Sequence, residues 1–352
     1  MENTKHTVKK KFFAAANSYN GFISFFDKVF NSKDFARIYV LKGGPGTGKS
    51  SFMKKASEYF GVNNYEIEEI YCSSDPNSLD GVIIKKGEKS VAFLDGTAPH
   101  ERDAIIPGAI DEIINLGDGW DDRFLIAKRD EILSVTEEKS KSYKTAYEYL
   151  KTAGRADKFI YNIYKQGFNK SELKNKAEKL FDKIDEKSKG ETITRLLSSF
   201  GKYGSYKLDT LESLDTKLIF VGGFESLQTL LLDCCYELLK EKKANIIHLL
   251  CPLDPSHTDA IYLPDHRLAI VRGEGDINAD NYSSLSPIDL ERIRMASKIK
   301  NDALEEAKRW FAIASDLHFR LEEIYGNAMD FDKNNRLFET KIREIEIILE
   351  KV

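Results

Sequence analysis

The sequence has few cysteines and no long apolar run. Only four of its 352 residues are cysteine, and their spacing is not that of metal ligands. Cys234 and Cys235 are adjacent within a leucine-rich segment, so we expect buried, reduced thiols in a cytoplasmic protein. The apolar run at residues 12–16 is too short for a signal-peptide core or a membrane span. We therefore expect no membrane partner.

The sequence also lacks an excess of either charge. It contains 53 lysine and arginine residues against 57 aspartate and glutamate residues, which gives a formal net charge of −4. This balance argues against nucleic acid as a partner. The lysine-dense segment 165–189 is interleaved with acidic residues, which favours a solvated helix face over a nucleic-acid contact. The length allows two domains, each with its own core.

One segment contains a specific chemical motif. Residues 37–52 read as an apolar strand, then GxxxxGK[ST], then the start of a helix, which is the context that a phosphate-binding loop (Walker A) requires. The glycines allow positive φ, so that backbone N–H groups face an anion, and the helix N-terminus adds its partial positive charge. The predicted nucleotide-binding residues are Gly43, Gly44, Gly46, Thr47, Gly48, Lys49, Ser50 and Ser51.

Lys49, Ser50 and Asp95 have distinct predicted roles. Lys49 supplies a full charge to the β and γ phosphates, and Ser50 offers its hydroxyl to Mg²⁺. Asp95 ends a third apolar strand, where a Walker B-type carboxylate binds Mg²⁺ directly or through water. We therefore predict Lys49 and Asp95 as catalytic residues and Ser50 and Asp95 as metal ligands. The alternative for Asp95 is an ordinary Asp-Gly turn at the strand end.

Thr97, His100 and Glu101 follow Asp95 at the strand end, where ligands collect in open α/β sheets. His100 could sense the γ phosphate or a second substrate. A single histidine in a polar loop is more often a surface residue, and we expect that here.

The second half of the sequence repeats the first. Residues 38–44 align with 217–223, the string CSSDP at 72–76 aligns with CPLDP at 251–255, and residues 91–96 align with 268–273. Each half reads as strand, loop, helix, strand, turn, hairpin-like piece, strand and then helices. We predict an α/β fold made of two tandem P-loop NTPase-type three-layer units with appended helices, at residues 1–190 and 191–352.

The second repeat lacks the residues of phosphate chemistry. Leu227, Gln228, Thr229 and Arg272 stand where the first repeat has Gly48, Lys49, Ser50 and Asp95. Because Lys49 and Asp95 are replaced together, we assign them to one functional set. Asp75 and Asp80 persist in the second repeat as Asp254 and Asp259, which favours a structural role in turning or capping the chain.

The strings GGPGTGKS, CSSDP and LDGTAPH resemble those of P-loop nucleoside triphosphatases and, more closely, of a Gram-positive bacterial family of ATPase-like proteins with tandem P-loop units. The resemblance covers most of the chain and implies ATP binding, without implying one reaction. Leu227 and Gln228 differ from the glycine and lysine that a second phosphate-binding loop would need. ATP is favoured over GTP because no Asn-Lys-x-Asp string follows a strand.

Three functions fit these residues. The favoured one is a Mg²⁺-dependent ATPase, a hydrolase that acts as a switch or small machine. The alternatives are a phosphotransferase for a nucleotide or another small molecule, and a nucleotide-binding module that acts on an unidentified protein partner without turnover. Gly96 rather than glutamate follows Asp95, so hydrolysis needs help from elsewhere. Glu101 or the second repeat, through Arg267, Arg272 or Arg292, could supply it.

Overall fold

The computed structural model describes residues 9–167, 169–181, 184, 189–282 and 284–350 as a mixed α/β protein. It separates into two compact units. Unit 1 comprises Met1–Ala15, Ser24–Thr145 and Arg309–Val352, and unit 2 comprises Ala16–Ile23 and Ala146–Lys308. Parts of the lysine-dense segment 165–189 lie outside the described residues.

The strands of the described residues are β1 (Lys10–Phe13), β2 (Ala15–Ser18), β3 (Gly21–Ser24), β4 (Arg37–Lys42), β5 (Glu66–Tyr71), β6 (Leu79–Lys86), β7 (Lys89–Asp95), β8 (Asp111–Asn115), β9 (Thr192–Arg195), β10 (Ser198–Gly201), β11 (Gly204–Lys207), β12 (Lys217–Gly222), β13 (Ile246–Leu250), β14 (Thr258–Leu263), β15 (Leu268–Arg272) and β16 (Ile277–Asn278). The α-helices are α1 (Phe26–Val29), α2 (Lys49–Val62), α3 (Asp122–Ala127), α4 (Arg129–Gly167), α5 (Lys170–Leu180), α6 (Thr210–Ser213), α7 (Glu225–Glu241), α8 (Pro287–Gly326) and α9 (Phe331–Glu350).

Unit 1 contains a six-stranded sheet in the order β1-β5-β6-β7-β4-β8. The strand β6 is antiparallel to both β5 and β7, and the other neighbours are parallel. The strand β4 is an apolar run buried between two parallel neighbours, as its sequence requires. Because β4 and β7 are parallel neighbours, with Leu41 opposite Asp95, the loop after β4 and the carboxylate that ends β7 lie at the same sheet edge.

The core of unit 1 is built from two helices against this sheet. Phe52, Ala56 and Phe60 recur every four residues along α2, so they form one buried face. The helix α9 adds Ile342, Ile345 and Leu349 to the same cluster. Unit 1 is therefore completed by the C-terminal end of the described chain.

Unit 2 contains a second six-stranded sheet in the order β9-β13-β14-β15-β12-β16. Here β14 is antiparallel to both β13 and β15, and the other neighbours are parallel. Strand for strand, this is the order and direction of the first sheet. Leu231, Cys235 and Leu239 of α7 pack in its core together with Phe181, which follows α5. The hairpin β10–β11 and most of the hairpin β2–β3 also belong to this unit.

The predicted α/β class is confirmed, with two six-stranded mixed sheets. The division of the chain differs from the predicted boundary near residue 190. Each compact unit takes segments from both halves, because α5 of the first half packs with α7 in unit 2 and α9 of the second half packs in unit 1. Sequence repeats locate the two sheets, but the sequence does not tell which sheet each amphipathic helix covers.

The four cysteines, all within the described residues, form no disulfide bond, and Cys235 is the one that is fully buried. Among the described helices, none is both long enough and apolar enough to cross a membrane.

Candidate nucleotide-binding site

The loop between β4 and α2 has the backbone geometry that its glycines predict. Gly43, Gly46 and Gly48 have φ values of +146°, +72° and +88°. The helix α2 begins at Lys49, and its N-terminal neighbour Gly48 has no side chain to cap the first N–H groups. Its first turn contains no acidic residue. The N-terminus of α2 therefore presents N–H donors and a partial positive charge to an anion.

The loop is also braced from within. The Thr47 side chain is fully buried, and its Oγ1 donates to the Gly44 carbonyl at 2.9 Å. A Cβ atom at Gly43 would lie 2.7 Å from Thr47 Oγ1, so only glycine fits this close approach. Contacts among its own residues thus support the shape of the loop.

The Lys49 ammonium group lies between loop carbonyls and a carboxylate. Its Nζ donates to the carbonyls of Gly43 at 2.7 Å and Gly44 at 2.9 Å. The same nitrogen lies 3.7 Å from Asp95 Oδ2. The two residues that the sequence assigns to one functional set are therefore in contact at the sheet edge.

Asp95 combines a turn contact with this ion pair. Its Oδ1 accepts hydrogen bonds from Thr97 N at 2.8 Å and Thr97 Oγ1 at 2.6 Å, as an Asp-Gly turn residue would. Burial raises the pKa of Asp95, Lys49 opposes that shift, and the charge of Asp80 adds to it. The carboxylate is thus in surroundings that favour a neighbouring cation.

Ser50 and Asp75 lie on either side of the start of β6. Ser50 Oγ accepts from Leu79 N at 2.9 Å, which fixes the hydroxyl beside the backbone that leads into Asp80. Asp75 Oδ1 accepts from Asn77 N at 3.0 Å, which is the turn contact predicted for it. Ser51, the last predicted loop residue, is exposed. The eight predicted nucleotide-binding residues thus form one continuous loop and helix start.

The predicted surface position of His100 is wrong. The histidine is only 7% exposed and stacks on Phe26 at a ring-centroid distance of 4.1 Å. Its Nε2 lies 3.0 Å from Asp80 Oδ2, and Asp80 is only 6% exposed. The neighbouring Glu101 is exposed. A hint was present in the repeat, since Ile277 stands where the first repeat has His100, which makes the histidine a feature of one repeat only.

The C-terminal segment 322–334, which we name the C-terminal cover, packs on the loop between β4 and α2, and no pattern in the sequence predicts this contact. A Cβ atom at Gly46 would lie 2.4 Å from the carbonyl oxygen of Glu322. Asn334 Nδ2 donates to the Thr47 carbonyl at 2.9 Å. The Phe331 ring lies against Gly48, where an added Cβ atom would be 3.5 Å from the ring. The end of α8 and the start of α9 therefore hold the loop from outside.

The corresponding loop of unit 2 is closed by its own side chains. Gln228 Nε2 donates to the Gly223 carbonyl at 2.8 Å, in the place that lysine takes in unit 1. Asp280 Oδ1 accepts a hydrogen bond from Phe224 N at 2.9 Å, so this loop N–H group is already bonded to a carboxylate of the protein. Leu227 is buried in the core.

The three arginines considered as catalytic cations all pair with carboxylates within unit 2. Arg272 Nε lies 2.8 Å from Asp259 Oδ1, Arg267 pairs with Asp215 at 3.0 Å, and Arg292 pairs with Asp289 at 3.1 Å. Arg272 also donates to Thr229 Oγ1 at 3.0 Å.

No protein-family model, curated protein or solved structure matches the chain. Across the described ranges, no group of three or more His, Cys, Asp or Glu side chains could hold a metal ion by itself. Mg²⁺ does not require such a group, since it keeps several waters and binds through one or two carboxylates plus substrate phosphates. The oxygens of Ser50 and Asp95 match that pattern of donors.

Proposed function

We propose that unit 1 binds MgATP and hydrolyses it, and that the protein acts as a nucleotide-dependent switch or small machine. The observation that supports this most directly is the position of Lys49. Lys49 begins α2, whose N-terminus has no side-chain cap. Its ammonium group donates to two loop carbonyls and contacts Asp95 on the adjacent parallel strand. A loop, a lysine and a strand-end carboxylate in this arrangement are suited to a polyphosphate with a divalent ion.

In this proposal each residue has a physical task. The loop N–H groups receive the phosphates, and Lys49 exchanges its carbonyl partners for oxygens of the β and γ phosphates. Ser50 and Asp95 hold Mg²⁺, which, when bound, neutralises charge on the phosphates. Water attacks the γ phosphorus, the bond between that phosphorus and the β,γ-bridging oxygen breaks, and ADP and phosphate leave while the proton lost by the water passes to solvent.

We further propose that the chain is a tandem duplication of P-loop units related to the P-loop NTPases, with unit 2 degenerate. The identical strand order of the two sheets supports the duplication. The bonds of Gln228 and Asp280 to the second loop, and the cation of Arg272 in place of a carboxylate, support the loss of nucleotide binding. Unit 2 then has a structural or regulatory role.

The test uses the purified full chain. Calorimetry with ATP and Mg²⁺ should give one site per chain, and phosphate release should follow at saturating ATP. Parallel reactions with nucleotides and small alcohols as acceptors detect phosphotransfer, which would replace hydrolysis as the reaction. Two ATP molecules per chain would contradict a degenerate unit 2, and absence of any nucleotide binding would contradict the proposal as a whole.

A further inference from the structure

The two sheets can be compared position by position at the end where Asp95 lies in unit 1 and Arg272 lies in unit 2. In unit 1, Gly81 of β6 lies opposite Leu94 of β7, so the next positions along these strands are Asp80 and Asp95. In unit 2, Ala260 of β14 lies opposite Val271 of β15, so the next positions are Asp259 and Arg272. Asp80 therefore corresponds to Asp259, and Asp95 to Arg272.

Unit 2 shows what occupies the space between these positions. The guanidinium group of Arg272 lies 2.8 Å from Asp259 Oδ1 and donates to Thr229 Oγ1 at 3.0 Å. Thr229 is the counterpart of Ser50 in the sequence repeat. The side-chain cation of Arg272 thus contacts both the Thr229 hydroxyl and the Asp259 carboxylate.

Unit 1 has the same hydroxyl and the same carboxylate, but a second carboxylate replaces the arginine. Ser50 Oγ is bonded to Leu79 N, the residue before Asp80, so the hydroxyl and this carboxylate are close in the chain fold. Asp80 and Asp95 take adjacent positions on neighbouring strands, and both are largely shielded from water. Like charges in such positions repel. Lys49 lies 3.7 Å from Asp95 and offsets part of that repulsion, and a cation between the two carboxylates would offset the rest.

We propose that Asp80 is the second protein carboxylate of the Mg²⁺ site, holding the ion directly or through one water molecule together with Ser50 and Asp95. The inference rests on the proposed MgATP function of unit 1. It explains why an aspartate stands at this position in both repeats: each balances a cation, which is Arg272 in unit 2 and a free divalent ion in unit 1.

His100 supports this assignment as a positioning residue. Its Nε2 lies 3.0 Å from Asp80 Oδ2, and its ring is stacked on Phe26. An imidazole in contact with a ligating carboxylate restricts the orientation of that carboxylate. Because the contact involves Oδ2, the other carboxylate oxygen is the one directed to the ion in this proposal.

The first experiment measures metal dependence of binding, not turnover. ATP affinity is determined by calorimetry on the full chain with EDTA and then with Mg²⁺ or Mn²⁺. Asp80→Asn removes a negative charge beside the phosphates, so it should not weaken the affinity in EDTA, but it should reduce the metal-dependent gain about 10 to 100-fold, as loss of a ligand or its support does. The matched variant Asp259→Asn should leave both values unchanged. If folded Asp80→Asn gains as much ATP affinity from the metal as the wild type does, the inference is overturned.

A second measurement does not depend on the folding of a variant. Crystals of the wild-type chain with Mn²⁺ and a non-hydrolysable ATP analogue would locate the metal by anomalous scattering. We expect the ion within about 2.2 Å of an Asp80 oxygen, or joined to it by one water. A metal bound to Ser50 and Asp95 without that link would refute the inference and leave the MgATP function standing. A wild-type chain that binds no nucleotide would refute the function itself.

Discussion

At the scale of single residues, Lys49 is the side chain that most directly tests nucleotide binding. Lys49→Ala removes charge-assisted hydrogen bonds worth about 1.5 to 3 kcal/mol, so MgATP affinity should fall about 10 to 100-fold. The melting temperature should change little, because the partners of the ammonium group are two loop carbonyls and the Asp95 carboxylate. Calorimetry and thermal unfolding measure the two effects.

The repeat supplies the control for this prediction. Gln228 takes the place of lysine in unit 2 and donates to the Gly223 carbonyl. Gln228→Ala should therefore leave ATP affinity unchanged. Unchanged affinity in folded Lys49→Ala would contradict the assigned role of the loop.

Asp75 and Asp95 should respond in opposite ways to loss of the carboxylate. Asp75 accepts a turn hydrogen bond from Asn77, so Asp75→Ala should cost about 0.5 to 2 kcal/mol of stability, as for a lost cap, and leave turnover intact well below the melting temperature. Asp95→Asn should impair Mg²⁺-dependent turnover with little change in melting temperature. Urea unfolding and phosphate release distinguish them. Loss of turnover at full stability in Asp75→Ala would reverse the two roles.

At the scale of elements, the contact between the β4–α2 loop and the C-terminal cover should make the protein unusually sensitive to substitution of Gly46. Alanine at a positive φ costs about 1 to 2 kcal/mol by itself. At Gly46 the new Cβ would also meet the Glu322 carbonyl at 2.4 Å, a backbone atom that cannot turn aside. Gly46→Ala should therefore destabilise unit 1 by clearly more than 2 kcal/mol in urea unfolding.

Gly87 is the matched position for this change. It also has a positive φ, of +60°, but nothing lies within 4 Å of the added Cβ. Gly87→Ala therefore measures the backbone cost alone. If Gly46→Ala and Gly87→Ala lose the same stability, the contact of the C-terminal cover with Gly46 adds nothing to the backbone cost.

The same elements show how far the sequence could predict the site. Strand β4, the loop and α2 were predictable because their pattern is local: an apolar run, glycines with positive φ, and a helix face repeating every four residues. The bond of Asn334 to Thr47 was not, because it joins residues 287 positions apart. Burial of His100 was missed for a related reason, since the stacking ring of Phe26 comes from a distant segment.

At the scale of the whole molecule, neither half of the sequence should fold alone. Residues 1–190 lack α9, whose Ile342, Ile345 and Leu349 are buried in the core of unit 1. Burying three such side chains contributes about 4 to 9 kcal/mol, which is comparable to the total stability of a domain. Residues 191–352 likewise lack α5 and its packing on α7. We expect each half to be insoluble or molten by circular dichroism.

Co-expression provides the complementary measurement. If each unit needs segments from both halves, the two fragments produced together should associate and recover one ATP site per complex. The control is a fragment pair whose first member ends at residue 167 and so omits α5. A soluble, cooperatively unfolding fragment 1–190 that binds ATP alone would contradict the shared composition of the units.

The shared composition of unit 1 also imposes an order on its synthesis. A ribosome adds about 5 to 20 residues per second, so roughly 10 to 50 s pass between Asn115, which ends the first sheet, and Glu350, which ends α9. During that interval the nascent sheet exposes the apolar surface that α9 later covers, and it is then a substrate for chaperones. The C-terminal cover is synthesised after both sheets, so a ribosome that stalls before it leaves the loop between β4 and α2 without its external support.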